Sequence, residues 1–191
     1  MKKLLLSTAL VAGFAAPAFA ETTTYTIDPS HTNILMSVSH LGFSTMVLEA
    51  LKPEGTVKFD QENPQNSAVN ITLKAAHIDG DDQKFNAHLQ SADFFNATEY
   101  PEITFKSKEV KVTGEGKGQV LGDFTLLGIT KPVTLEVTFN KAGLNPFSNT
   151  ETVGFTASTN LKRTDYGMDY GVPAIGDDIK VDINLEAIKA E

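Results

Sequence analysis

The sequence contains no cysteine and no tryptophan. Without cysteine there is no disulfide framework, and a structural zinc site has little to draw on. The same absence near residue 20 excludes a lipoprotein-type anchor. Positive charge is in deficit, 16 Lys and Arg against 24 Asp and Glu, for a net charge of −8. An acidic chain with scattered lysines is a poor partner for nucleic acid or for an anionic membrane surface, and its charge serves solubility. Beyond the N-terminus no apolar run approaches the ~18 residues of a spanning helix, so no stable membrane anchor is expected after residue 20. Nucleotide and hydrolase templates are also missing: there is no G-x-S-x-G elbow, no P-loop and no strand–helix G-x-G-x-x-G. "GEGKG" at 114–118 reads as a hairpin turn, and "DGDD" at 79–82 lacks the remaining positions of a calcium loop.

The N-terminus carries a different signal. Lys2 and Lys3 precede a short apolar stretch, Leu4 to Ala16, and Ala18-Phe19-Ala20 forms an A-x-A cleavage site. That is the pattern of a cleaved secretory signal peptide over 1–20, of bacterial type, which places the remainder in the periplasm or the medium. Residues 21–191 then form one domain with a net charge of about −10, long enough for a sizeable core.

Most of that domain alternates apolar and polar residues with period two. Val69, Ile71, Leu73 and Ala75 share one face of "AVNITLKAA"; Val133, Leu135, Val137 and Phe139 share one face of "PVTLEVTFN". Val153, Phe155 and Ala157, and then Ile179, Val181, Ile183 and Leu185, repeat the pattern. Alternation of this kind marks antiparallel strands with one face in an apolar interior. Further strands are expected near 23–28, 32–40, 54–60, 102–112 and 118–127, separated by the turn-rich "DQENPQNS", "TGEGKG" and "KAGLNPFSN". In "DGDDQKFNAHLQSADFF", Phe85, Leu89 and Ala92 fall at roughly helical spacing, with Asp81 or Asp82 placed to cap the N-terminus. The expected fold is all-β with one short helix: about eight strands in a sandwich or barrel, the helix capping one opening or packing on the side.

Candidate chemistry is sparse. His31 and His40 bracket "HTNILMSVSH" but stand nine apart, so an unbroken strand puts them on opposite faces and roughly 30 Å apart. They do not share a metal unless a bulge intervenes. His77 and His88 form no H-x-H or H-x-x-x-H pair, and acid pairs such as Asp165 and Asp169 arise easily by chance. What remains is the interior, rich in phenylalanine (twelve residues). An eight-stranded barrel is either filled by its own side chains or holds one small ligand, and alternation alone does not separate the two.

Four blocks, in order, resemble one family. They are "YTIDPSHTNILMSVSH" at 25–40, "HLQSADFFNATEYPEITFKS" at 88–107, "GDFTLLGITKPVTLEVTF" at 122–139, and "LKRTDYGM" followed by "GDDIKVDINLEA". Together they span nearly all of 21–191 and are similar to the YceI family of periplasmic proteins. "LEALK" stands where family members often show Gly-x-Phe entering the second strand. The resemblance implies an extended, lipocalin-like, eight-stranded antiparallel β-barrel. It also implies an apolar tunnel for a long amphiphile, a polyisoprenoid such as an isoprenoid quinone or prenyl phosphate, and no cofactor-dependent catalysis. The expected tunnel wall is Ile34, Met36, Val38 and His40 on one strand face, with Val69, Ile71 and Leu73. Ile103, Phe105, Phe124, Leu126, Val137, Phe139 and Phe155 join it, and Met168 with Met36 adapts to a flexible chain. His40, Arg163, Tyr166 and Asp169 are the candidate mouth residues, with a surface ion pair the alternative for Arg163. Competing readings are a small barrel enzyme using His40 with Asp169 or Tyr166, and a filled-core structural or interaction module, one form of which is a dimer paired through exposed edge strands or loop-borne residues such as Phe147.

Overall fold

The computed structural model describes residues 22–191; the expected signal segment, 1–20, lies outside them. The strands, in chain order, are β1 (Thr23–Ile27), β2 (Asn33–His40), β3 (Ser44–Ala50), β4 (Glu54–Phe59), β5 (Ala68–Lys74), β6 (Ile78–Asp79), β7 (Glu102–Gly114), β8 (Lys117–Leu126), β9 (Ile129–Leu144), β10 (Glu151–Lys162) and β11 (Asp178–Lys189). One helix, α1 (Gln83–Leu89), lies between β6 and β7.

All pairings are antiparallel, and β1 closes the sheet on β11. The eleven strands make an eight-stranded barrel because three staves are broken in two. β1 and β2 lie end to end along β11 (Thr26 opposite Ile188, Ile34 opposite Ile183). β4 pairs with β1 and β3 with β2; β5 pairs with β4 and β6 with β3. Two of the three breaks have a local cause. At the first, Pro29 has no N–H to give the ladder, and the Asp28 carboxylate accepts from the Ser30 backbone N–H (2.9 Å) and hydroxyl (2.6 Å). Past it, the buried Thr32 hydroxyl stands in for the missing backbone pair, donating to the Glu186 carbonyl at 3.1 Å and accepting from its N–H at 3.2 Å. At the second, Lys52 adopts a left-handed φ of 52° immediately before the buried Pro53.

β3 is not among the segments expected from alternation. Both of its faces carry apolar residues: Leu48 and Ala50 are buried, while Val47, on the opposite face, is 52% exposed. A two-sided apolar strand has no period-two signal to read. β9 and β10 also outrun their expected limits, since "KAGL" continues β9 through Leu144 and only "NPFSNT" turns. Gly114 to Lys117 is the expected hairpin turn. α1 begins where the acidic run predicts: the Asp82 side chain accepts from the Phe85 N–H at 2.8 Å. It ends at Leu89, so Ala92 falls in the following loop.

The β1–β11 pairing closes the barrel, and the two-residue β6 pairs on one side only, with β3. Phe147, in the β9–β10 loop, is 97% exposed. Inward-facing residues form one continuous apolar layer; β11 shows it plainly, with Val181, Ile183, Leu185 and Ala187 buried at every second position.

Candidate binding site

The barrel is not filled by its own side chains. Two cavities occupy its interior, about 470 Å³ toward the end that carries α1 and about 530 Å³ toward the opposite end. Ile71, Leu135 and Ile183 line both, so the chambers meet end to end along the barrel axis. The filled-core reading is thereby corrected.

The expected register holds along β2, where Ile34, Met36, Val38 and His40 all face the upper chamber. Ile71 and Leu73 of β5, Ile103 and Phe105 of β7, and Phe124 and Leu126 of β8 complete much of its wall. Gly122 makes room for one of them: a side chain there would lie 2.5 Å from the Phe105 ring, which instead lies across the bare backbone. Val69, Val137, Phe139 and Phe155 line the lower chamber instead. The last three read as half-buried because one side of each looks into the lumen rather than into packed protein. Phe139 and Phe155 join Phe59 in an aromatic trio there, with ring centroids 5.3–5.7 Å apart.

The upper chamber also has walls that alternation did not reveal. Met46 and Leu48 come from the unforeseen β3. Phe85, His88 and Leu89 come from α1, and Phe94 and Phe95 from the loop behind it, so the helix closes the upper end. Their i, i+3, i+4 spacing is the signal that a helix face was available. At the mouth His88, Phe94 and Tyr170 pack edge to face at 4.9–5.3 Å. The His88 ring is held by Asp93 at 2.8 Å. Beside them His40 bridges to Ile175 through the backbone.

One of the four expected mouth residues, Asp169, lies off the site, and for Arg163, which does line the upper chamber, the surface ion pair is ruled out. Asp169 is exposed and lines neither chamber; the chain turns it outward immediately after the buried Met168, which does line the upper chamber. Arg163 is neither a surface ion pair nor a free ligand contact. It is 4% exposed, and its guanidinium donates to four backbone carbonyls: Gly176 (2.8 Å), Tyr170 (2.9 Å), Met168 (3.0 Å) and Ile175 (3.1 Å). It therefore ties the 164–177 segment to the end of β10, while its aliphatic stem borders the cavity. Burial pulls the guanidinium below its ordinary value, and the nearby carboxylates of Asp177 and Asp169 work against that. Asp177 in turn accepts from the Thr164 N–H (3.0 Å) and hydroxyl (2.8 Å). Tyr166 lines the chamber from a buried position, its ring edge-on to Phe124 at 5.4 Å and overhung by Lys131. Burial raises its phenol pKa, and Asp165 adds to the effect.

His31 lies on the outside, its Nδ1 2.7 Å from Asp28. Asp165 is engaged by Lys131 at 3.0 Å. Among the described residues no hydrogen bond joins His40 to Tyr166 or Asp169, and no cluster of three or more His, Asp or Glu has a metal-binding arrangement. The lower rim is more polar, with Gln61, Ser67, Glu115 and Lys117 around the opening.

Residues 25–187 match the family model of the YceI-like domain. A UPF0312 protein of Vibrio parahaemolyticus is 37% identical over 187 residues, covering 97% of this chain and 96% of the relative. The crystal structure of Burkholderia cenocepacia BcnA superposes with a TM-score of 0.77 at 22% identity, covering 84% of this chain and 99% of that one. A polyisoprenoid binding domain from Saccharophagus degradans, implicated in plant cell wall breakdown, superposes with a TM-score of 0.68 at 12% identity, over 88% of this chain and 99% of the domain.

Proposed function

From the premise that the chain belongs to the YceI-like family, we propose that it is a periplasmic carrier that holds one long-chain isoprenoid in its barrel, exported by the cleaved 1–20 segment. The observation that carries the proposal is the pair of joined apolar chambers. A fold likeness to a polyisoprenoid binding domain is consistent with it.

Energetics favour a tail-driven complex. Burial contributes up to about 0.8 kcal/mol per CH₂, so twenty buried carbons supply about 16 kcal/mol gross, against the roughly 8 kcal/mol of micromolar binding. Ordering of the tail consumes much of the excess. The polar groups then choose the head. At the upper mouth these are His40, His88 and Tyr170, while the guanidinium of Arg163 is already engaged by four carbonyls. Among the described residues that line this chamber there is no lysine and Arg163 is engaged, so a neutral head such as a quinone ring or a prenol fits better than a prenyl phosphate, whose charge would be desolvated without a partner. Among the described residues no hydrogen bond joins His40 to Tyr166 or Asp169, and binding is the role that the apolar lumen supports.

Native mass spectrometry of the protein purified from its own periplasm tests this. A stoichiometric adduct, released by solvent and identified as a neutral isoprenoid, is expected. Ligand-free protein that also ignores a panel of quinones, prenols and prenyl phosphates would refute the carrier reading, and an adduct of prenyl phosphate would refute the neutral head.

A further inference from the structure

We infer that the junction of the two chambers is a ruler for tail length, and that the lower chamber admits only ligands long enough to pass it. This rests on the carrier reading and specifies its selectivity.

The junction is built from bulky aliphatic side chains on three separate staves: Ile71 of β5, Leu135 of β9 and Ile183 of β11. All three are buried. They border both chambers, so they mark the level at which one chamber gives way to the other. The stave between β9 and β11 is different. There Ala157 of β10 stands opposite Val137 on one side and Ile183 on the other, and it lines the lower chamber only. A methyl side chain takes up less of the lumen than its branched neighbours Val137 and Ile183, so the β10 side offers a tail the most room at that level. An isoprenoid with its head at the His40–His88–Tyr170 mouth therefore meets the junction partway along its tail. A short tail ends above it and gains nothing from the space below. A long tail threads past Ala157 and lies against the Phe59–Phe139–Phe155 trio, whose faces accept a flexible branched chain. Because burial energy grows with each carbon that enters the lower chamber, affinity rises a second time once the tail clears the junction.

Ala157→Phe projects a ring into the lower chamber just beyond the junction. The added volume fills a void instead of displacing packed core, so folding is retained more easily than with an insertion into close-packed protein. Val137→Phe places similar bulk there from β9 and keeps the test open if the first variant folds poorly. The probes are farnesol as a short prenol and solanesol as a long one, titrated by intrinsic tyrosine fluorescence and confirmed by native mass spectrometry. Wild-type protein should prefer solanesol, and each folded variant should lower the solanesol-to-farnesol affinity ratio at least tenfold. Equal loss for both prenols, or an unchanged ratio, overturns the ruler while leaving the carrier reading intact. Failure of both prenols, and of a quinone, on wild-type protein overturns the carrier reading and the ruler with it.

Discussion

Arg163→Met should destabilise the protein sharply, because it removes a buried cation that organises one end of the barrel. The methionine matches the stem but donates nothing to the Gly176, Tyr170, Met168 and Ile175 carbonyls. A hydrogen bond from a charged donor is worth about 1.5–3 kcal/mol net. Four such bonds do not simply add, since water reaches some carbonyls once the segment loosens. An acceptor left buried and unpaired costs about 1–3 kcal/mol, so with some carbonyls rehydrated a total of about 3–5 kcal/mol is expected. At roughly 2–4 °C per kcal/mol for a chain of this size, Tm should fall by about 6–20 °C. Circular dichroism melts give the shift, and hydrogen exchange locates it: amides of 164–177 should lose protection before those of β4 or β5. Arg163→Lys should recover only a small part, because one ammonium cannot span four carbonyls that a planar fork reaches together. A Tm within about 2 °C of wild type, with unchanged exchange in 164–177, would refute the assignment of Arg163 as a structural tie.

Three further outcomes follow from other parts of the molecule. Asp82→Ala removes the cap on the Phe85 N–H and should cost about 1 kcal/mol, with faster exchange confined to α1 and the loop after it. The Asp28 carboxylate hydrogen-bonds His31 and raises its pKa above the ordinary 6.5; the pair therefore adds stability that is complete below that value and lost as pH rises through the raised one. Burial alone would raise Asp28, but hydrogen bonds from Ser30 and His31 outweigh it and hold the carboxyl low, so the carboxylate stays ionised at mildly acid pH. The Tm gap between wild type and His31→Ala should accordingly be larger at about pH 5 than at about pH 9, and a gap that widens with pH would contradict the pairing. Stripping bound lipid should lower Tm, and restoring a ligand to a hundredfold above its Kd should return about 2.7 kcal/mol of stability; no shift on delipidation would count against an occupied lumen.

Much of the wall was legible from alternation because a strand has only two faces. Once Ile34, Met36 and Val38 chose the interior, His40 had to follow, and His31 was separated from it. The same rule failed at β3, where Val47 on one face and Leu48 on the other erase the period. It also cannot register a break: β1 and β2 read as two strands, yet they serve as one stave because Thr32 bridges to Glu186 across the gap. Polar residues near the chain's last turn were harder still. Arg163, Tyr166 and Asp169 are close in sequence and similar in character, but a short turn sends Asp169 to solvent, Tyr166 against Phe124, and Arg163 into a cage of carbonyls.

Periodicity, turn chemistry and the family blocks, all carried along the chain, are enough for the class of fold and the inward set of residues. Whether that inward set fills the barrel or lines a hollow was decided only by the tertiary structure. Fullness depends on how far apart the closed staves hold facing side chains, a distance set jointly by residues as remote in sequence as Ile71, Leu135 and Ile183, with no single strand encoding it.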